Sequence, residues 1–139
     1  MLFGSINLLA VGVSALGAYG VGFLWNTSIF REPYIEDLGR TAEELAKGPS
    51  MLTASIMQIA GALVTACIMA WLMPRTDNQT VTGGLMIGLL TERGFVAAVI
   101  GPTYAFKAFS LRLFGIISGY HLLAFLITGV IIGAWGSRG

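Results

Sequence analysis

VTGGLMIGLLTERGFVAAVIGPTYAF, residues 81–106, is a run of 26 residues with the length and character of a membrane-crossing helix. It is apolar throughout except for Glu92 and Arg93, which stand side by side near its middle. A hydrocarbon layer of about 30 Å needs roughly 20 apolar residues in helical form, because only a helix satisfies its own backbone in lipid. Residues 81–106 exceed that length, and so do 2–25, 51–73 and 113–136, which contain no Asp, Glu, Lys or Arg. The chain therefore reads as an all-α integral membrane bundle of four transmembrane helices, a single membrane domain over residues 1–139. The polar loop 26–50 carries a short interfacial helix in this reading.

Composition points the same way. Apolar residues make up 55% of the chain and charged residues 11%, against about a quarter charged in a soluble domain. Too little polar surface remains to cover a water-facing shell. A formal net charge of +1 offers no basic stripe, so nucleic acid is not expected as a partner. The single cysteine, Cys67, lies inside the second apolar run and reads as a small packing residue. The first run has no Lys or Arg before it and outlasts an ordinary signal-peptide core, so it reads as a retained membrane helix.

If all four spans cross, loop one and loop three share one side, and the termini and loop two share the other. Arg31, Arg40, Lys47, Lys107 and Arg112 fall on the first side, Arg75 and Arg138 on the second. Lys and Arg favour the cytoplasmic face, which places both termini on the non-cytoplasmic side. Trp25, Trp71 and Trp135 each end a span, where an indole suits the headgroup zone. In loop one, Thr41 to Glu44 reads as a capping box, and Gly48-Pro49 ends the helix it starts. Pro33 suits an earlier helical turn carrying Tyr34, Ile35 and Leu38.

In lipid, helices associate through close backbone approach more than through apolar burial. Gly84 with Gly88, Gly115 with Gly119, and Gly129 with Gly133 are pairs four residues apart, as are Ala18 and Gly22. Each pair predicts a helix-packing ridge. Glu92 continues the Gly84–Gly88 row, which turns it toward protein, whereas Arg93 points about 100° away. A charge at mid-bilayer is costly unless paired; the long Arg side chain can bend toward Glu92, and a partner for each on another helix or subunit is the better arrangement. The pair is either an ion or proton path or a structural device that fixes assembly. His121 lies about nine residues, roughly 13 Å, into the fourth span. Tyr19, Gln58 and Tyr120 fall near the same depth, and together the four predict a polar layer. Pro102 leaves the Ala98 carbonyl without its usual donor, and His121 is placed to supply one. With one His and one Cys, no metal or haem ligation is expected, and no other cofactor.

The fourth span, Ile117 to Leu123 (ISGYHLL) running on to Thr128 to Trp135 (TGVIIGAW), resembles the closing signature of a bacterial family. Gly22 to Phe30 (GFLWNTSIF) is similar to that family's opening signature, and Glu36 to Gly39 fits its acidic loop. The family is catalogued as domain of unknown function seventeen sixty-one, small four-helix membrane proteins. The resemblance covers nearly the whole chain and implies the topology and a location in the bacterial cytoplasmic (inner) membrane, without catalytic residues. Two stretches depart from it. Thr91 to Phe95 stands where an aromatic-Leu-Gly-Phe run is expected, and Lys107-Ala108-Phe109 where a Glu-Gly-Arg-like run is expected.

Three readings of function follow. The first is a non-catalytic oligomeric component or accessory subunit of a membrane assembly, with the bilayer and other subunits as partners. The second is a small carrier or pore moving protons or a small charged solute past Glu92 and Arg93. The third, an enzyme, is not expected: paired carboxylates and metal clusters are missing, and Ser118 three residues before His121 is too common a spacing to count.

Overall fold

The computed structural model describes residues 6–136, so Arg138 and the first residues of the expected 2–25 span lie outside the described part. Helix α1 covers Leu8–Leu24 and passes through a π-helical turn, Trp25–Ile29, into α2, Arg31–Leu38. Helix α3 is Ala42–Ala46 and α4 is Met51–Arg75. The third span is α5, Val81–Thr91, a π-helical segment, Glu92–Ala97, and α6, Ala98–Phe106; α7 is Leu111–Gly136. Among the described residues all regular structure is helical. Four stretches, Leu8–Ile29, Met51–Arg75, Val81–Phe106 and Leu111–Gly136, are long and apolar enough to cross a membrane. The chain is a multi-pass membrane protein.

Each span begins on a polar cap. An N-terminal helical turn has backbone N–H groups without intrahelical acceptors, and a short polar side chain supplies one. The Asn7 side-chain oxygen accepts from the Leu9 and Ala10 N–H groups, at 3.0 and 3.1 Å. Ser50 accepts from Thr53 at 3.1 Å, Thr80 from Gly83 at 3.0 Å, and Ser110 from Leu113 at 3.0 Å. The α3 capping box forms as its sequence requires, with Glu44 N–H to the Thr41 hydroxyl at 3.1 Å and Thr41 N–H to the Glu44 carboxylate at 3.0 Å. The polar loop thus holds two short helices, α2 and α3. Gly39, at φ 68°, ends α2 in the left-handed conformation that glycine adopts without strain.

Helix α7 is the axis of the bundle. It packs against α1 on one side and α5 on the other, and α4 lies against α1. The core at the loop-two end joins Val11, Ala66, Met69, Ala70, Met73, Ile87 and Ile132, with Cys67 packed on its edge. A second cluster, Ala18, Tyr120 and Ala124, sits nearer the other end. Burial along α4 is confined to Ala66, Met69, Ala70 and Met73, and none of Met51 to Thr65 is buried. The bundle is therefore tight toward loop two and open between α4 and α7 toward loop one.

Loops one and three meet at one end. Asp37 of α2 accepts from the Ser110 hydroxyl at 2.8 Å and from both Nε and an Nη of Arg112 at 2.6 Å. Glu36 adds a contact to Arg112 at 3.4 Å. The paired Arg112 hydrogen bonds hold the Asp37 carboxyl below the usual carboxylate range. At the other end, Thr80 lies against Gly133 and Gln79 against Gly136, beside Asn7. The alternation expected of four crossing spans is thus present in the fold.

Candidate functional site

The row of small residues on α5 leads directly to the charged pair. A methyl group on Gly84 would collide with the Gly129 carbonyl, and one on Gly129 with the Gly84 carbonyl. One turn on, a methyl at Gly88 would stand 2.8 Å from the Phe125 carbonyl oxygen; at the loop-two end, one at Gly133 would meet the Thr80 carbonyl. Positions 84 and 129, 88 and 125, and 80 and 133 thus face each other in steps of four, as antiparallel helices require. At these points backbone touches backbone, which only glycine permits.

Glu92 is the next step along that row, and it is fully buried, with 0% of its side chain exposed. Arg93 leaves the row, and 44% of its side chain is exposed on the flank of the third span. The two are nevertheless in contact: the Arg93 Nε lies 3.1 Å from a Glu92 carboxylate oxygen. Adjacent helical positions diverge by about 100°, so the long Arg side chain must fold back over the turn to reach its neighbour. The approach by bending of the Arg side chain is thus the arrangement found: among the described residues, each charge is paired with the other and neither with another helix. The angle is poor for a hydrogen bond, so neither buried Glu92 oxygen has a hydrogen-bond donor among the described residues. The pair stands where α5 passes into the π-helical segment, with Glu92 six residues before Ala98 and ten before Pro102. Such wide turns are rare and recur at functional sites. Thr91, just before it, donates to the Ile87 carbonyl at 2.6 Å.

Of the four residues of the expected polar layer, Gln58 and Tyr120 bond to each other, Tyr19 bonds to a residue outside the layer, and His121 remains. Gln58 donates through its amide to the Tyr120 hydroxyl, linking α4 to α7. The Tyr19 hydroxyl donates to Ser55 at 3.0 Å, linking α1 to α4. Ser55 and Gln58 stand three apart on one face of α4, so a single turn of that helix holds both bonds. Ser55 was not among the residues singled out from the sequence; its spacing from Gln58 was the available signal. His121 lies beside Tyr120, with ring centroids 5.0 Å apart, and makes no hydrogen bond to the Ala98 carbonyl among the described residues. The expected donation is corrected on that point: His121 turns toward the gap between α4 and α7, whose walls include Gln58 and Val96. Ser118 is buried and forms no hydrogen bond to His121 among the described residues.

The two signature stretches pack on each other. The Trp25 indole N–H donates to the Ile116 carbonyl at 2.8 Å. A methyl group at Gly119 would stand 3.1 Å from the Trp25 ring, and one at Gly22 would collide with the Tyr120 ring. Trp25 is thereby a helix–helix anchor, and its polar atom faces α7. The Gly115–Gly119 ridge is corrected accordingly: a large indole fills the space at Gly119, and nothing lies within 4 Å of a methyl placed on Gly115. Trp71 packs beneath the Arg75 guanidinium, 4.5 Å from ring centroid to carbon.

Among the described residues, no group of three or more His, Cys, Asp or Glu side chains is placed to hold a metal ion. No curated protein and no solved structure is similar enough to this chain to count as a match. The family model described as protein of unknown function (DUF1761) matches residues 9–133, a stretch that contains the opening signature, all but the last two residues of the closing one and the charged pair, and the chain belongs to that family.

Proposed function

We propose that this protein is a non-catalytic component of a membrane assembly, either a homo-oligomer or an accessory unit beside other membrane subunits. Arg93 carries the reading. It lies midway along the 26-residue third span, with about 18 Å of helix to either end. A side chain that slides one turn along the helix gains about 5 Å, too little to leave a hydrocarbon layer whose half-thickness is about 15 Å. A charge there costs from about 3 to more than 10 kcal/mol if lipid surrounds it. Glu92 offsets part of that, but the other face of the guanidinium points out of the fold. A neighbouring subunit that presents a carbonyl or an acidic side chain to this flank removes the cost. In the bacterial cytoplasmic membrane that the family resemblance implies, the distribution of Lys and Arg supports an orientation with both termini on the non-cytoplasmic side.

The test is the mass of the particle extracted in mild detergent or in polymer-bounded lipid discs. A stable multimer, or constant companion proteins, is expected. The double variant Glu92→Gln/Arg93→Leu, which removes both charges and so leaves no orphan, should fold and lose that association. A strictly monomeric wild-type particle would overturn the reading.

A second reading, a carrier or pore for protons or a small charged solute, is favoured by the two buried Glu92 oxygens that lack a donor. Reconstituted vesicles decide it: flux abolished by Glu92→Gln supports transport, and flux equal to that of empty vesicles across a broad solute panel removes it.

A further inference from the structure

The open half of the bundle forms a cleft of about 240 Å³ between α4 and α7, with Val96 of the third span on its remaining side. Its lining contains no Asp, Glu, Lys or Arg, so it offers nothing to a charged head group. Three of its polar side chains are engaged: Gln58 and Tyr120 by each other, and the Thr128 hydroxyl by the Ala124 carbonyl at 2.8 Å. The His121 imidazole makes no hydrogen bond among the described residues, although a neutral imidazole carries one donor and one acceptor. An unmet polar group in a water-poor site is unfavourable, and a bound molecule that meets it gains by doing so. Along the α4 wall, Met57 is 65% exposed, and nothing lies within 4 Å of a methyl built on Gly61. The cleft thus opens sideways, at a level where the surroundings are acyl chains.

We propose that this cleft takes up, from within the bilayer, an uncharged membrane-soluble molecule with a flat, carbonyl-bearing head, the quinone class, and that the His121 N–H donates to one of its carbonyl oxygens. The lining fits that shape: Tyr120, His121 and Phe125 supply planar faces, and Gly61, Ala62 and Ala124 leave room beside them. A lipid tail would fill the volume but leave the imidazole unmet. A phospholipid head would bring its charge into an uncharged site, well below the headgroup zone. The proposal concerns binding alone and stands independently of how many subunits the particle contains.

The full-length protein in lipid discs is titrated with decylubiquinone, binding being followed by equilibrium dialysis. Saturable binding is expected for the wild type. Gly61→Leu places its side chain in open space, so it should keep the wild-type melting curve and abolish binding. His121→Leu should weaken binding by about tenfold, the worth of one hydrogen bond. Wild-type protein that binds no quinone, or a Gly61→Leu variant that folds and binds as the wild type does, would overturn the proposal. So would native mass spectrometry showing a co-purified phospholipid that Gly61→Leu expels and quinone does not displace.

Discussion

Replacing Gly129 by alanine adds one methyl group where the Gly84 carbonyl already sits, and neither partner has a side chain that can rotate away. Relief requires α5 and α7 to separate along the contact that also includes Gly88 and Gly133. Overpacking costs about 1–3 kcal/mol where side chains can adjust, and a backbone-on-backbone clash belongs at the upper end. Alanine returns about 1 kcal/mol of helix propensity over glycine, so the net loss is about 2 kcal/mol. Gly115→Ala is the internal control in the same helix. Nothing lies within 4 Å of its new methyl, so only the propensity gain of about 1 kcal/mol remains. The two variants should differ by about 3 kcal/mol in opposite directions from wild type, measured by reversible unfolding in mixed micelles. Equal stabilities, or a Gly115→Ala variant weaker than Gly129→Ala, would refute the assignment of the backbone contact to Gly84 and Gly129.

Ala108, at φ 59°, holds a left-handed conformation in the turn before α7, so Ala108→Gly should raise stability by about 1 kcal/mol in the same assay. Asp37 has a folded-state carboxyl held below its ordinary range, so its contribution is complete above the unfolded value of about 4 and fades as pH falls through the folded value. Protease nicking of loop one should therefore be constant from about pH 8 to 5 and rise only below about pH 4, and Asp37→Asn should be nicked at every pH. Tyr19→Phe and Ser55→Ala should each cost about 0.6 kcal/mol, and the double variant should cost less than their sum, since one hydrogen bond is lost in all three. Trp25→Phe should cost about 1 kcal/mol or more by leaving the Ile116 carbonyl without its indole donor, and it should loosen α1 from α7 in hydrogen exchange.

Much of this architecture was legible in the chain because lipid leaves few choices. A run such as 81–106 can satisfy its backbone in hydrocarbon only as a helix, so span number and alternation follow from composition. The Gly84–Gly88 and Gly129–Gly133 rows were legible, each by itself, for a similar reason: four-residue spacing places small residues on one face. The Thr41–Glu44 box was equally local. Helix continuity was less legible, since the π-helical turns at Trp25–Ile29 and Glu92–Ala97 leave no compositional trace that outweighs apolar length.

Partner choice belongs to the tertiary structure. Sequence spacing marked Gly115–Gly119 and Gly84–Gly88 alike, yet Trp25 fills the space at Gly119, and only Gly84 and Gly88 meet another backbone. Sequence depth grouped Tyr19, Gln58, Tyr120 and His121; the packing joined Gln58 to Tyr120, sent Tyr19 to Ser55 and turned His121 toward an open cleft. It also folded Arg93 back onto its own neighbour. Four apolar rods and the faces they present follow from the order of residues alone, because burial in lipid and helical periodicity act locally along the chain. Which face meets which emerges in the packed bundle, because a contact between helices depends on the shape of both surfaces at once.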